Sequence, residues 1–185
     1  MEDRIRQAAC RLYGRVGWAG FNIQAVATEA RVGKSSIYLR WPDRTALLLD
    51  TLQFHLDFPY HTDTGSLRGD LLVLSRTIFD LLASDVGDAL VRLSAEARSV
   101  SELAPRWWDF TAAQVAVIRA IAQRGIDRGD LPTDAAVPLM LDALFGGLLM
   151  HQIAAPSTHL DRTGYGSDSY PVALVDMVLA SVTRR

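Results

Sequence analysis

The stretch VATEARVGKSSIYLRWPDRTALL, residues 26–48, decides the fold of this chain. It begins inside an amphipathic helix and turns sharply before a short helix of small residues. A basic and aromatic segment then leads into a longer helix. Two short helices around a tight turn are the layout of a helix-turn-helix, whose second helix enters the major groove of DNA. The stretch therefore predicts a DNA-binding element.

Helical patterning continues on the N-terminal side of this stretch. Apolar residues recur at helical spacing over residues 3–15, and Gly17 is expected to end that first helix. Asn22 is a suitable N-cap for the second helix and Asp43 for the fourth. These helices predict a head of residues 1–45. Its inward-facing residues are expected to be Ile5, Ala8, Ala9, Leu12, Val16, Ile23, Val26, Ala27, Ala30 and Ile37.

Residues 46–185 are predicted to form a larger helical body. The fourth helix is expected to reach Phe58, because Pro59 cannot continue it. The segment 156–169, rich in Ser, Thr, Asp and Gly, is expected to be a loop. Since no strand pattern of consequence is present, the chain is predicted to be all-α. Further helices are expected over residues 67–82, 89–97 and 101–128, from an N-cap at Thr133 to residue 155, and over 170–182.

Charge is distributed unevenly along the chain. The net charge of −2 over 185 residues by itself argues against a nucleic-acid-binding protein. Residues 1–48, however, carry eight basic and four acidic side chains, while the remaining residues carry 11 basic and 17 acidic ones. A basic head on an acidic body would attract phosphate on one side only.

Neither export nor membrane insertion is predicted. Hydrophobic residues make up 49% of the chain, but no uninterrupted apolar run approaches the roughly 20 residues of a membrane span. The N-terminus has no apolar core followed by a cleavage site, and the single Cys10 cannot close an internal disulfide. These features predict a cytoplasmic protein.

Residues 5–50 resemble the DNA-binding domain of the TetR family of bacterial transcriptional regulators. The family pattern has an isoleucine–alanine pair, an alanine-glycine-valine-serine turn and a small-residue recognition helix ending in leucine–tyrosine. A histidine or arginine, an aromatic residue and a lysine follow. This chain supplies Val26-Ala27, Ala30-Arg31-Val32-Gly33, Lys34-Ser35-Ser36-Ile37-Tyr38, Arg40-Trp41 and Arg44 in that order. The resemblance implies a helix-turn-helix head joined to a larger helical domain that binds an effector and dimerises.

The third helix carries four candidate DNA contacts. Ser35 and Ser36 leave room for the helix to approach the groove closely. Lys34, at the helix start, can reach a base edge or a phosphate. The hydroxyls of Ser36 and Tyr38 can donate hydrogen bonds to phosphate oxygens.

Three further candidates flank that helix. Arg40 and Arg44 are expected to form a positive clamp on either side of Trp41, which itself is expected to pack between the head and the body. Asn22 opens the second helix, whose first backbone N–H groups can bind another phosphate. The alternative for the whole set is a solvated basic face without a partner.

The chain departs from the family pattern at two positions. Arg31 replaces the usual glycine of the turn, so a positive φ there would cost on the order of 1 kcal/mol. Gly33 replaces the usual capping serine, which often touches phosphate. Arg31 is a candidate to compensate by reaching phosphate itself.

The body offers residues for an apolar ligand site, in which a few polar groups orient the ligand. The alternative is that the same aromatic residues form ordinary core, as such residues more often do, and that His151 is a hydrogen-bonded core histidine. The four histidines lack metal-ligand spacing, so neither a metal nor a cofactor is predicted. The candidate ligand-binding residues are Phe79, Arg92, Trp107, Phe110, Gln114, Phe145 and His151.

Two apolar helices of the body predict a homodimer. Two adjacent glycines within one of them cost about 1 kcal/mol each relative to alanine, so another backbone is expected to approach there. An interface of two helices from each subunit would explain this, and the alternative is packing within one chain. The candidate interface residues are Gly146, Gly147, Met150, Val175, Val178 and Leu179.

Together these features predict a TetR-like homodimeric repressor that a small-molecule effector releases from a near-palindromic double-stranded DNA operator. The sequence contains no nucleophile–base pair, supported carboxylate pair, glycine-rich phosphate loop or metal cluster, so no catalytic residue or enzyme activity is predicted. Two alternatives stay open. One is a helix-turn-helix module that binds a protein, and the other is a helical small-molecule-binding protein that does not regulate through DNA.

Overall fold

The structure, a computed structural model, describes residues 1–56, 62–154 and 169–183, apart from the side chains of residues 106, 117 and 183. Those residues are all-α and contain no β-strand, which confirms the predicted fold class. The helices are α1 (Glu2–Gly20), α2 (Ile23–Ala30), α3 (Lys34–Tyr38), α4 (Arg44–His55), α5 (Leu67–Leu82), α6 (Asp85–Glu96), α7 (Ala104–Arg128), α8 (Val137–Ala154) and α9 (Ser169–Thr183). The predicted end of α4 at Phe58 and the predicted loop, Ser169 apart, lie outside the described residues.

The helices group into two units. The N-terminal unit comprises Met1–Asp57 and Ala83–Ala112, and the C-terminal unit comprises Phe58–Leu82 and Ala113–Arg185. The N-terminal unit therefore contains α6 and the first residues of α7 in addition to the helix-turn-helix. The boundary between a head of residues 1–45 and a body of residues 46–185 remains a prediction.

In the N-terminal unit, α1 packs against α2, α4 and α6. Nine of the ten predicted inward-facing residues are buried, and Ile37 anchors α3 with no exposed surface. The prediction was wrong for Val16, which is exposed. The buried stripe of α1 runs instead through Tyr13 and Gly17, which are four residues apart and so lie on one face.

A break at Gly17 shapes α1. Its φ of 65° and ψ of −171° are not helical, yet the helix resumes and continues to Gly20, beyond the predicted end. The backbone N–H of Trp18 donates to Oε2 of Glu96 at 2.9 Å. The Tyr13 hydroxyl donates to the same oxygen at 2.7 Å, and Nε of Arg92 donates to Oε1 of Glu96 at 3.2 Å. Glu96 of α6 thus serves as the acceptor at the break in α1.

The Glu96 contacts shift the pKa values of both partners. Burial acts to raise the pKa of Glu96, but hydrogen bonds from Tyr13, Trp18 and Arg92 outweigh it and hold that pKa below its usual value. Burial, together with the hydrogen bond to Glu96, raises the pKa of Tyr13. Glu96 is therefore an anion and Tyr13 a neutral donor at neutral pH.

In the C-terminal unit, α5 packs against α8 and α9. The start of α8 differs from the prediction, because Thr133 lies in a turn and the helix begins at Val137. Pro138 explains the shift, since proline has no N–H and fits the first turn of a helix but not its interior. The apolar core comprises Leu67, Leu71, Leu74, Ile78, Phe79, Ile118, Ile121, Ala122, Leu131, Met140, Leu141, Leu144, Leu148, Leu174, Val175 and Val178.

By length and composition alone, α8 is long and apolar enough to cross a membrane, with a mean hydropathy of 1.4. Such a helix is weak evidence of insertion, because core helices of soluble proteins share these properties. Met140, Leu141, Leu144 and Leu148 of α8 are buried in the core just described. That packing accounts for these four apolar residues, whereas Leu139, Met150 and Ile153 of the same helix are exposed.

Candidate nucleic-acid interface and effector site

Asn22 caps α2 as predicted. Its backbone is extended, and its Oδ1 accepts a hydrogen bond from the backbone N–H of Ala25 at 2.9 Å. Its Nδ2 donates to the carbonyl of Gly20 at 3.1 Å, which ties the cap to the end of α1. Backbone N–H groups in a first helical turn have no intrahelical acceptor, so the start of α2 suits a phosphate oxygen.

Arg31 ends α2 in the left-handed conformation, with φ 54° and ψ 51°. Its N–H donates to the carbonyl of Thr28 at 3.2 Å, and the N–H of Val32 donates to that of Ala27 at 3.0 Å. This pair of bonds is a Schellman motif, which normally places glycine at the left-handed position. Arg31 is the only non-glycine residue with positive φ in the described part of the chain, so the strain expected there is present.

Replacing Arg31 with glycine is expected to raise the free energy of unfolding by about 0.5–1 kcal/mol. Removing Cβ relieves the strain of the left-handed backbone, and this gain exceeds the loss from the greater entropy of glycine in the unfolded chain. Urea denaturation of the two proteins measures the change. Arg31→Ala removes the same charge but keeps Cβ and is expected to show no gain. An equal gain in both variants would contradict the strain argument.

The short helix α3 exposes most of its surface. Its cap residue Gly33 makes no side-chain cap bond, so the serine contact typical of the family is missing. A side chain at position 33 would meet the hydroxyl oxygen of Ser35 only at 3.5 Å, so the departure has no steric cause. Lys34, Ser35 and Tyr38 are exposed, and Ser36 is half-buried.

Four of the seven predicted DNA contacts meet at one surface concavity. Asn22, Lys34, Tyr38 and Arg44 line it, and the other lining residues belong to the start of α2 and to the connection into α4. The concavity is open to solvent, and half of the Tyr38 surface is exposed. A helix start, a lysine and a tyrosine hydroxyl around one open surface can bind phosphate groups of a nucleic-acid backbone.

Arg44 makes intramolecular contacts that the sequence did not predict. Its guanidinium donates to the carbonyls of Trp18 at 3.2 Å and Phe21 at 3.0 Å, and it lies 4.0 Å from the centre of the Trp18 ring. It also pairs with Glu102 at 3.4 Å. Arg44 therefore joins the start of α4 to the connection between α1 and α2, beside the Asn22 cap.

Arg40 and Trp41 follow α3. Arg40 pairs with Glu2 at 3.2 Å but remains half exposed. Trp41 is buried, and its Nε1 donates to Asp50 of α4 at 2.9 Å. The indole therefore packs against α4 within the N-terminal unit, and only Arg40 remains on the surface.

The structure separates the predicted ligand-binding residues into two groups. Arg92, Trp107 and Phe110 belong to the N-terminal unit, where Arg92 donates to the Gly14 carbonyl at 2.9 Å as well as to Glu96. The indole of Trp107 stacks on Phe110. Phe79, Gln114, Phe145 and His151 belong to the C-terminal unit.

An aromatic stack lies within the C-terminal unit. The His151 ring stacks on Tyr170 with centroids 3.8 Å apart, and Phe79 lies 5.7 Å from His151 and 6.0 Å from Tyr170. The Tyr170 hydroxyl donates to the Gly147 carbonyl at 3.1 Å. Burial lowers the pKa of His151, so its imidazole is neutral at neutral pH. The stack joins α5, α8 and α9.

Four buried polar atoms of this unit lack a hydrogen-bond partner among the described residues. They are Nε2 of His151, Oε1 of Gln114, Oγ of Ser75 and Nε of Arg124, whose Nη2 donates to the Thr62 carbonyl. Buried polar groups are normally hydrogen-bonded, so such atoms suit a ligand or a buried water. Sequence reasoning missed Ser75, although a serine next to the buried Leu74 on an apolar helix stripe is a detectable signal.

The predicted interface residues also fall into two groups. Gly147 lies against Leu174 of the same chain, and Val175 and Val178 are buried in the apolar core, with Leu179 packed against it. The sequence predicted that another backbone approaches the glycine pair, but the close neighbour of Gly147 is the Leu174 side chain of the same chain. Gly146 faces open space, and Met150 is 57% exposed.

Comparisons with known proteins cover both parts of the chain. Residues 5–51 match the model of the bacterial regulatory proteins of the tetR family, and residues 61–179 match that of the tetracyclin repressor-like C-terminal domain. The chain is 28% identical to an uncharacterised HTH-type transcriptional regulator of Mycobacterium tuberculosis, over 99% of this chain and 88% of the relative.

Solved structures share the fold. The fatty acid degradation regulator FadR from Bacillus halodurans matches with a TM-score of 0.77 at 18% identity over 100% of both chains. FadR from Bacillus subtilis, in complex with stearoyl-CoA, matches with a TM-score of 0.74 at 18% identity over 98% of this chain and 100% of that one. With family matches that span most of its length, the chain belongs to the TetR family of DNA-binding transcriptional regulators.

Proposed function

We propose that this regulator is a homodimeric repressor that binds a near-palindromic operator through the exposed side of α3 and leaves it when a small molecule binds the C-terminal unit. The observation that carries the DNA-binding surface is the concavity shared by Asn22, Lys34, Tyr38 and Arg44. A recognition helix must be uncovered in its own subunit to enter the major groove, and α3 meets that condition.

The candidate contacts take different roles in this proposal. Lys34 and Ser35 approach base edges, because residues near the start of a recognition helix lie nearest the bases. Ser36, Tyr38 and Arg40 bind phosphate oxygens, as does the start of α2 held by Asn22. Arg44 acts chiefly by positioning that start, since its guanidinium is bound to the Trp18 and Phe21 carbonyls.

Replacing Lys34 and Tyr38 together with alanine is expected to lower affinity for the operator at least a hundredfold, because two exposed contacts are lost from each half-site. The operator is obtained first by selecting duplexes that bind the wild-type protein from a random pool. Titrations at several salt concentrations then measure affinity, and the salt slope is expected to shrink by about one for each phosphate contact removed.

Arg119→Ala is the matched control, because it removes an exposed positive charge from α7 in the other unit. It is expected to keep wild-type affinity. The proposal fails if no duplex is enriched by the wild-type protein, or if the Lys34 and Tyr38 variant, folded by circular dichroism, binds as tightly as the wild type.

The dimer interface in this proposal is the outer face of α8. Exposed or open positions recur there at alternating spacings of four and three residues, which is the heptad spacing of helices that pair side by side. Gly146 in this row leaves room for a close backbone approach. The row comprises Leu139, Ala143, Gly146, Met150 and Ile153.

The effector in this proposal is an apolar molecule with one polar end. The stack of Phe79, His151 and Tyr170 supplies apolar surface, and the unpartnered atoms of His151, Gln114 and Ser75 supply polar contacts. Because a protein of the same fold is described with stearoyl-CoA, long-chain acyl compounds are the first candidates to test. An effector can act only by binding the DNA-free geometry more tightly than the DNA-bound one.

The proposal also covers the class of protein, its location and its partners. The family comprises transcription regulators rather than enzymes. We place the protein in the cytoplasm, where its operator is accessible, with double-stranded DNA, an effector and a second copy of itself as partners. It requires neither a metal nor a cofactor and does not insert into a membrane.

A further inference from the structure

Leu39 occupies an unusual position at the end of the recognition helix. It is 88% exposed, more than any other large hydrophobic side chain in the described residues. Its backbone is helical, with φ −59° and ψ −27°, and its N–H donates to the Ser35 carbonyl at 3.1 Å. Leu39 therefore extends the regular geometry of α3 by one residue instead of belonging to an irregular loop.

The direction of Leu39 follows from that geometry. Successive residues of a helix are rotated by about 100°, so Ser35 and Leu39 lie on either side of the line directly opposite Ile37. Ile37 is fully buried and marks the inner side of α3. Ser35 and Leu39 therefore mark its outermost edge, the part that would enter a groove most deeply.

The surroundings of Leu39 are polar. Tyr38 and Arg40, on either side of it in the chain, are exposed, and the small Ser35 lies one turn before it. A leucine can neither donate nor accept a hydrogen bond, so it adds nothing to phosphate binding. In the major groove, the apolar group that the base pairs offer is the C5-methyl group of thymine.

We propose that Leu39 contacts the C5-methyl group of a thymine in each operator half-site and thereby specifies a T·A pair there. The inference rests on the proposed function, because it requires α3 to lie in the major groove. Ser35 leaves the space that brings the leucine side chain to the base edge. The proposal assigns base discrimination to an apolar residue in addition to the lysine and hydroxyl groups.

The test removes only the methyl group. In the selected operator duplex, each thymine is replaced in turn by deoxyuridine, which keeps the base-pairing edge and lacks the C5-methyl. Each half-site is expected to contain one sensitive thymine, at symmetric positions. We expect the affinity of the wild-type protein to fall about three- to fivefold when the thymine of one half-site is replaced, and about tenfold or more when those of both half-sites are replaced. Leu39→Ser should bind the thymine and deoxyuridine duplexes equally, whereas Leu39→Met should retain the preference for thymine.

Because Leu39 is almost fully exposed, these variants are expected to fold like the wild type, which thermal unfolding checks. Specific wild-type binding with no deoxyuridine effect at any position would overturn the inference and leave the proposed function intact. A deoxyuridine effect that persists in Leu39→Ser would assign the methyl contact to another residue. The inference would also be overturned if Leu39→Ser bound the operator more weakly while deoxyuridine had no effect on the wild-type protein. Leu39 would then contact the sugar or a protein instead of the methyl group. Failure to select any duplex would overturn the proposed function itself.

Discussion

Replacing Gly17 with alanine is expected to destabilise the N-terminal unit by about 3 kcal/mol or more, because two costs coincide at this position. The φ of 65° with ψ of −171° lies in a region that is essentially reserved for glycine. A Cβ atom would also overlap the Glu96 carboxylate and lie 2.6 Å from Nε of Arg92. The new methyl group would therefore displace the ion pair that accepts the Tyr13 and Trp18 hydrogen bonds. Thermal and urea unfolding measure the loss.

Gly65→Ala separates the two costs. Gly65 also has a positive φ, of 84°, but a Cβ there meets nothing within 4 Å among the described residues. This control is expected to cost about 1 kcal/mol from backbone strain alone. Equal losses in the Gly17 and Gly65 variants would show that the contact with Glu96 and Arg92 contributes nothing, and an unchanged stability at Gly17 would contradict the helix break.

Replacing Met150 with glutamate is expected to dissociate the proposed dimer without unfolding the subunit. Met150 is 57% exposed and lies in the row of outward-facing residues on α8. In a twofold interface the substitution would bury two carboxylates near each other, and such a pairing of like charges costs several kcal/mol. We expect the dimer dissociation constant to rise at least a hundredfold, which corresponds to about 3 kcal/mol. Sedimentation equilibrium measures the dissociation constant.

Val115→Glu is the control for this substitution, because it places the same charge on another exposed apolar residue, on α7. It is expected to remain dimeric. The Met150 variant should also lose most of its operator affinity, since a monomer binds only one half-site. A Met150 variant that stays dimeric at wild-type concentrations would exclude the outer face of α8 as the interface. A variant that unfolds would contradict the expectation that the subunit stays folded without its partner.

The two groups of predicted interface residues show where sequence reasoning stops. The apolar composition of α8 and α9 marked two helices that pack against each other, but the glycine pair did not show which neighbour approaches it. Periodicity could not tell which side of an all-round apolar helix faces its own core. The structure resolves this by placing Gly147 against Leu174 and leaving Gly146 open.

Local chemistry determined the DNA-binding half of the molecule. The caps at Asn22 and Asp43, the anchor at Ile37 and the left-handed turn at Arg31 all depend on side chains and backbone preferences within a few residues, and the structure shows each of them. The positions of the candidate ligand-binding residues, in contrast, depend on contacts between residues far apart in the chain. Arg92 donates hydrogen bonds to a carbonyl of α1 and to Glu96, whereas Gln114 and His151 belong to the other unit.

The helices, their order and the residues on the exposed side of α3 could thus be predicted from the sequence, because helix caps and hydrophobic spacing act over one or two turns. Tertiary structure alone decided that Glu96, 78 residues from Trp18, completes the break in α1. It also decided that Arg44 holds the start of α2. No sequence pattern indicates which group a single carboxylate or guanidinium will bind, because its hydrogen-bond partner comes close only when distant helices pack together.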